Sequence, residues 1–411
     1  MTMDQRGIDN PPAAQWLTAS EAAQLLGVKK ATVYSYAAKG ILRSGGPGKR
    51  AGYLRAEVTR LKLRAEARLG HTAVAAGALR WGEPVLDSAI TSINPRLGPV
   101  YRAHPASELA AQQRFETVAE LLWSGLLQAP GRWQPPARPP RLTVPRGVPP
   151  LIMLTHVAAQ LAAAPGTRYG LTREFELERA RAAIRTFAAA LSFLVEPGRF
   201  ARAFAQPSIA EVAFLALSGR APGKAELRAL ELTLILFADH ELNASTFSAR
   251  VAASAGADLQ ACLVAAMATL SGPRHGGACD RVEALLAEVE RDGARPALER
   301  RLAQGELPPG FETGAYPEGD PRTAPLLAAA EKVGRGVSRS VRQTIAVMRE
   351  LTGALPACDL AQVALTSALK LPAGSASALF AVGRCAGWVA HVLEQRESGT
   401  AIRPRARYVG A

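Results

Sequence analysis

The chain has 411 residues, enough for two or three domains with a large core, and its 48% hydrophobic and 20% charged residues give a globular composition. Its four cysteines form no CxxC pair and no metal-ligand spacing with histidine, which argues against a disulfide framework and a metal site. The segment MTMDQRGIDNPP lacks the apolar core of a signal peptide, and no apolar run approaches the roughly twenty residues that span a bilayer. We therefore expect a cytoplasmic protein with reduced thiols and no membrane partner.

The formal net charge of +14 is concentrated near the N-terminus. Residues 1–70 contain 12 Lys or Arg and 5 Asp or Glu, so about a sixth of the chain carries half of the excess. A small basic module of this kind suggests contact with phosphate groups. The remaining excess is spread over the rest of the chain, where it suits anionic small ligands such as a coenzyme pyrophosphate or a dicarboxylate.

Helix-forming residues dominate the whole sequence. Alanine and leucine are frequent, and no stretch alternates apolar and polar residues long enough to indicate a sheet. The sequence therefore predicts an all-α fold.

Residues 17–69 have the spacing of a helix-turn-helix motif. Thr18 and Glu21 predict a capping box that starts a first helix, and Gly27 ends that helix in a tight turn. A second helix follows over residues 29–39. This second helix is the one that would enter a major groove.

The glycine-rich basic loop SGGPGKR that follows is suited to a wing, and residues 55–69 predict a further basic helix. The segment resembles the N-terminal module of the mercury-resistance-regulator and excisionase class of winged helix-turn-helix proteins. The resemblance implies duplex DNA as a partner. The side chains predicted to contact it are Lys29, Lys30, Thr32, Tyr34, Ser35, Tyr36, Lys49 and Arg50. The alternative is a retained dimerisation or docking element.

After a joint near residues 70–77, the body of the chain consists of successive predicted helices with one long interruption. Residues 130–150 contain eight prolines, which forbid a helix and indicate an extended strap on the surface or a flexible loop. The predicted helices cover residues 113–125, 151–164, 173–194, 279–302, 326–351, 360–369 and 375–395.

Two of the six histidines lie where apolar helical runs stop, in the stretch 239–280. Apolar residues at three- and four-residue steps predict one helix into His240 and another that ends at Gly272 and Pro273, just before His275. The positive end of the helix after His275 disfavours the imidazolium. A neutral ring can donate a hydrogen bond to developing oxyanion charge. The alternative is that both histidines only satisfy backbone groups as polar caps.

This stretch resembles the citrate synthase family, in which an Asp-His-Glu segment and a Gly-Pro-X-His-Gly segment supply two active-site histidines. Both segments occur here, as DHE at 239–241 and GPRHG at 272–276. Other segments match in order: GALRWGEPVLDSAI, YRAHPASELA, PEGDPR, LFAVGRCAGWVAHVLEQ and IRPRARYVG. The resemblance covers about residues 76–411. The implied domains are a helix-turn-helix domain over 1–70, a large helical domain over 71–277 and 365–411, and a small helical domain over 278–364.

The resemblance also implies a chemistry, the condensation of acetyl-CoA or propionyl-CoA with oxaloacetate, with acyl-CoA as a substrate and no cofactor. By this resemblance Asp359 is the base that removes a proton from the acyl-CoA, and His275 holds the enol. His240 binds the oxo acid. The residues matching the family's carboxylate-binding arginines are Arg322, Arg384 and Arg403. The last of these reaches across from the partner subunit in the family, which implies a dimer.

One position departs from the family pattern. Members have a histidine nine residues before the position of Arg322, where it polarises the oxo carbonyl, whereas this chain has Thr313, which cannot become cationic. Losing such a group commonly lowers the rate by about two to three orders of magnitude. Three hypotheses follow: a slow citrate synthase-type acyltransferase, a DNA-binding regulator that senses acyl-CoA or oxaloacetate, and a non-catalytic subunit that pairs with an active homologue.

Overall fold

The structure is a computed structural model and describes residues 16–45, 52–54, 57–58, 61, 85–128, 133–164, 172–311, 315–334, 336–406, 408 and 410. The chain divides into two compact units, Met1–Asp87 and Ser88–Ala411. Helices dominate, which confirms the predicted all-α class, and two small sheets accompany them. The predicted joint at 70–77 and most of the predicted helix at 55–69 lie outside the described residues.

Among the described residues of the first unit, two helices with defined ends accompany a three-stranded antiparallel sheet. Its elements are β1 (Trp16–Leu17), α1 (Ala19–Leu26), α2 (Lys30–Ala38), β2 (Ser44–Gly45) and β3 (Gly52–Leu54). The predicted capping box is formed, because the backbone N–H of Glu21 donates to the side chain of Thr18, and Gly27 ends α1 at a φ of 66°. Gly45 pairs with Gly52, so the two ends of the basic loop lie side by side, as a wing requires.

The second unit is a helical body that begins with a small antiparallel sheet. The strands pair in the order β4 (Thr91–Asn94), β5 (Gly98–Tyr101) and β6 (His104–Pro105). The helices are α3 (Ala106–Gln112), α4 (Phe115–Ser124), α5 (Pro150–Ala163), α6 (Arg173–Ala190), α7 (Phe200–Phe204), α8 (Ile209–Ser218), α9 (Lys224–Leu236), α10 (Ala244–Ser254), α11 (Leu259–Leu270), α12 (Ala278–Asp292), α13 (Ala294–Ala303), α14 (Thr323–Lys332), α15 (Arg339–Thr352), α16 (Cys358–Ala368) and α17 (Ser375–Ser398). Single 3₁₀ turns occupy Leu191–Leu194 and Pro197–Arg199.

Residues 133–149 contain no helix or strand, as the prolines predict. Trp133 fixes the start of this segment, because the indole stacks on Trp123 at 5.4 Å between ring centroids and donates from Nε1 to Glu120 Oε1 at 2.9 Å.

The core of the second unit is built around α17, whose side chains are almost all buried against helices that include α4, α9, α10 and α11. By length and composition α17 is also the one described helix that could span a membrane, contrary to the sequence-based expectation. Its apolar stretch is wholly buried inside the unit, as in the core helix of a folded domain.

Two predicted helices are divided by glycines. Residues 326–351 form α14 and α15 rather than one helix, and Gly334, between them, has a φ of 55°. An added Cβ at Gly334 would meet Ala368 O at 2.0 Å, so the chain turns here in close contact with α16. Residues 279–302 divide in the same way at Gly293, whose φ is 88°.

Candidate active site

The two histidine turns meet at the start of α10. His240 lies in the turn between α9 and α10, and its Nε2 atom is 2.8 Å from Tyr316 Oη. His275 lies in the turn between α11 and α12, and its Nε2 atom is 2.8 Å from Ser245 Oγ in the first turn of α10. Trp388 of α17 donates from Nε1 to the same serine oxygen at 3.1 Å. The helix that follows His240 therefore holds His275 in place.

Both histidine rings are neutral. Burial, together with the positive charges of Arg322 and Arg384, holds the pKa of His240 well below its usual value. Burial and the charge of Arg384 lower the pKa of His275 to about 3. Neutral rings suit the predicted role of hydrogen-bond donors to substrate oxygens.

Arg322 immediately precedes α14 and is held by a two-pronged ion pair. Its Nη2 and Nε atoms lie 2.8 Å and 3.0 Å from the two carboxylate oxygens of Asp320. Its guanidinium also lies 5.4 Å from the centre of the Phe237 ring. Burial opposes ionisation of Asp320, but Arg322 outweighs it and lowers the pKa of Asp320 to about 2. Arg322 is therefore a fixed cation at the end of α9.

Arg384 projects from α17 and is 1% exposed. Its Nε atom donates to Phe237 O at 2.8 Å, and its guanidinium lies 4.7 Å from the centre of the Phe380 ring. No carboxylate among the described residues forms an ion pair with it, and burial lowers its pKa. A buried guanidinium without a paired anion is costly, which makes this side chain a candidate receptor for a ligand carboxylate.

Asp359 lies half-buried in the first turn of α16, and burial raises its pKa. Cys279, one helical turn after His275, donates from Sγ to Asp359 Oδ1 at 3.6 Å. The His275 ring also stands edge-on to Phe380 at 6.1 Å, and Phe380 is the ring that Arg384 covers. These contacts bring together five of the predicted residues: His240, His275, Arg322, Asp359 and Arg384.

Five further residues of this site are not predicted from the sequence: Ser245, Cys279, Tyr316, Asp320 and Trp388. Four of them lie within four positions of a predicted site residue, so closeness in sequence is the signal that could have found them: Cys279, Tyr316, Asp320 and Trp388. Ser245 enters the site through helix packing, which no local pattern reveals.

Two predicted site residues are not among these contacts. Arg403 is exposed in the tail after α17, where the backbone N–H of Ile402 donates to Ser254 Oγ at 3.1 Å. Ser254 ends α10, and the nine residues from Ser245 place it about 14 Å from the end that faces the site. The structure therefore does not bring Arg403 to the site of its own chain. Thr313 lies outside the described residues.

The predicted DNA contacts of the first unit are mostly accessible. The exposed ones are Lys29, Lys30, Tyr34 and Ser35, and Thr32 is half-buried. Tyr36 is also half-buried, and part of its side chain packs against the core of the unit. It lies three residues after the buried Val33 and so shares its helix face. Lys49 and Arg50 lie outside the described residues.

Comparison with protein families and curated proteins gives two matches of different kinds. The family model "Citrate synthase, C-terminal domain" matches residues 78–405, and a helix-turn-helix domain model matches residues 16–64. A "putative citrate synthase 2" of Mycobacterium tuberculosis is 42% identical over 200 residues, which are 46% of this chain and 53% of that protein. The chain thus matches about half the length of that relative. The citrate synthase of Haloferax volcanii is 32% identical over 80% of this chain and 94% of its own length.

Other relatives extend the match over most of the second unit. The 2-methylcitrate synthase of Shewanella oneidensis is 30% identical over 81% of this chain and 95% of its own length. Among solved structures, the citrate synthase of Thermotoga maritima has a TM-score of 0.63 at 25% identity, over 80% of this chain and 94% of that chain. From these matches, the chain belongs to the citrate synthase family and carries a helix-turn-helix domain at its N-terminus.

Proposed function

We propose that the second unit condenses a short acyl-CoA, acetyl-CoA or propionyl-CoA, with oxaloacetate. The observation that carries this proposal is the buried guanidinium of Arg384. It donates to the backbone oxygen of Phe237, and Arg322 lies against the ring of the same phenylalanine. Beside two neutral histidines, the Arg322 guanidinium that Asp320 holds and the Arg384 guanidinium, unpaired among the described residues, suit an oxo acid with two carboxylates. Relatives named citrate synthase and 2-methylcitrate synthase support the reaction class.

In this reaction Asp359 takes a proton from the carbon next to the thioester carbonyl. Ser245 Oγ accepts from Trp388 Nε1 and donates to Asn243 Oδ1, and Nε2 of His275 lies 2.8 Å from the same oxygen. In this proposal the neutral ring of His275 donates a hydrogen bond to the enol oxygen.

The enol carbon attacks the oxo carbon of oxaloacetate, and the oxo oxygen, which accepts a hydrogen bond from His240, takes a proton from the water that cleaves the thioester. The hydroxyl group of that water goes to the acyl carbon, and CoA leaves as the thiol with the proton that Asp359 held.

We infer a reduced rate from Thr313. A threonine hydroxyl donates one hydrogen bond to the oxo carbonyl but carries no positive charge and transfers no proton near neutral pH. Relative to a histidine there, the expected loss is about two to three orders of magnitude in kcat.

Release of free CoA from acetyl-CoA or propionyl-CoA in the presence of oxaloacetate tests the proposal. We expect slow turnover that Asp359→Ala abolishes and Thr313→His increases. Asp292→Ala is the matched control, because Asp292 is a carboxylate at the far end of α12 that pairs with Arg291 and Arg300. Absence of turnover in both the wild type and Thr313→His would reject the enzyme, and turnover restored only by a homologue would indicate a non-catalytic subunit.

A second function is favoured by the first unit. Exposed Lys29, Lys30 and Tyr34 on and before α2, together with the paired strands of the wing, suit a regulator that binds duplex DNA. In this proposal the second unit senses acyl-CoA or oxaloacetate.

The salt dependence of DNA binding by the full chain tests the regulator. We expect affinity for duplex DNA to fall steeply with salt. Lys30→Glu should weaken binding and reduce the slope of log K against log salt concentration by about one or two. Arg349→Glu makes the same charge change on an exposed residue of the second unit and should leave binding unaltered. Binding that is absent, or equally sensitive to both variants, would exclude this function.

A further inference from the structure

An open groove of about 660 Å³ lies in the second unit between α3, α9 and α14. None of the candidate active-site residues lines it. Its floor is dominated by small apolar side chains, namely Ala110, Ala111, Ala225, Ala229, Ala328 and Ala329. Its volume is that of a ligand pocket rather than of a packing defect.

The cations of the groove gather at one end. Phe237 follows the last turn of α9 and contacts Arg322, which immediately precedes α14, so the end of α9 meets the start of α14. The two helices therefore run in opposite directions. Lys224 and Arg228, in the first turns of α9, and Lys332, at the end of α14, consequently share the groove end remote from the candidate active site.

Two of these cations are exposed lysines, and the third, Arg228, is held by backbone carbonyl groups. Arg228 is fixed by the C-terminal turn of α3, since its Nη2 atom donates to Ala110 O at 2.9 Å and to Ala111 O at 2.7 Å. Lys224 and Lys332 are exposed and form no ion pair within the described part of the chain. No Asp or Glu is among the residues that line the groove. Positive charge at one end and apolar surface along the remainder favour a ligand that has a negative group at one end and an apolar chain.

We propose that this groove binds a medium-chain fatty carboxylate, with its head between Lys332 and Arg228 and its chain along the alanine floor toward Pro325. From Lys332 to Pro325, α14 spans about 10 Å, the scale of a medium alkyl chain. A slender chain suits a floor in which alanines predominate, and Leu232 and Val333 add further apolar surface to the lining. The head gains charge-assisted hydrogen bonds, and the chain removes apolar surface from water.

Calorimetric titration of decanoate into the full chain, below the micelle concentration, tests this site. We expect saturable binding of one decanoate per chain, and at least about tenfold weaker binding to Lys332→Glu because a charge-assisted contact is reversed. Arg349→Glu, with the same charge change outside the groove, should bind as the wild type does. Decanol, which has the chain without the charge, should bind more weakly than decanoate.

A steric variant separates the groove from a charge effect. Ala328 is exposed, so Ala328→Trp leaves the core of the unit unchanged while its indole covers the floor. Decanoate binding should be lost in this variant, with an unchanged melting temperature as the check on folding. Absence of saturable binding to the wild type, equal binding of decanol, or wild-type affinity in Ala328→Trp would each overturn the assignment.

Discussion

Cys279 determines part of the basicity of Asp359. Burial raises the pKa of this carboxyl group, while the hydrogen bond from the Cys279 thiol favours the ionised form and lowers it. A base must be ionised before it takes a proton, so activity is lost as pH falls through the pKa of Asp359. Loss of the thiol donor therefore raises the pKa of Asp359, and activity is then lost at a higher pH.

For Cys279→Ala we expect the acid limb of kcat/KM for CoA release to move up by about half a pH unit, the scale of one weak hydrogen bond. Cys279→Ser is the control, because a hydroxyl keeps the donor in place. An acid limb at the wild-type position in Cys279→Ala would show that the thiol contact does not act on the base.

At this scale the sequence predicts the residues that occur in motifs and misses the ones that support them. His240 and His275 are recognisable because each follows an apolar helix, and both are neutral, as expected for His275 from the helix dipole. The cause is different, since burial is the largest contribution to both shifts. The contact between Cys279 and Asp359 joins positions 80 residues apart, and no local spacing indicates it.

At the scale of elements, Gly334 allows α14 to turn back against α16. Its φ of 55° is unfavourable for any side chain, and an added Cβ would lie 2.0 Å from Ala368 O. Backbone rather than a flexible side chain occupies that space, so the helices must separate to admit even a methyl group.

We expect Gly334→Ala to lower the free energy of unfolding by at least about 3 kcal/mol, measured by chemical denaturation. Gly353→Ala is the matched control, because Gly353 also has a positive φ, of 72°, but faces open space. Its cost should be only about 1 kcal/mol, from the left-handed backbone alone. Equal losses in the two variants would mean that the contact with Ala368 contributes nothing.

Helices of the second unit are largely predictable from the sequence, because apolar periodicity and capping residues are local. The division of residues 326–351 is not, since a glycine within a helical pattern indicates a break only when a neighbouring element is close. The small sheets are not predicted from the sequence for a related reason. Their strands are two to four residues long, too short for an alternating pattern.

At the scale of the whole molecule, the tail raises the question of where Arg403 acts. It is anchored at the end of α10 remote from the site, yet the resemblance assigns it to an oxaloacetate carboxylate. Both statements hold if Arg403 enters the site of a second chain in a twofold dimer. Each site would then combine His275, Asp359 and Arg384 of one chain with Arg403 of the other.

Mixing two inactive variants tests this arrangement. Asp359→Ala removes the base from its own site, and Arg403→Ala removes the carboxylate ligand from the partner's site. In a mixed dimer one site lacks both groups, and the other has both. After unfolding and refolding an equal mixture, half of the dimers are mixed and half of their sites are complete, so about a quarter of the wild-type CoA release returns. Arg405→Ala, in the same exposed tail, should be active alone, and if Arg403 served its own chain no activity would return on mixing.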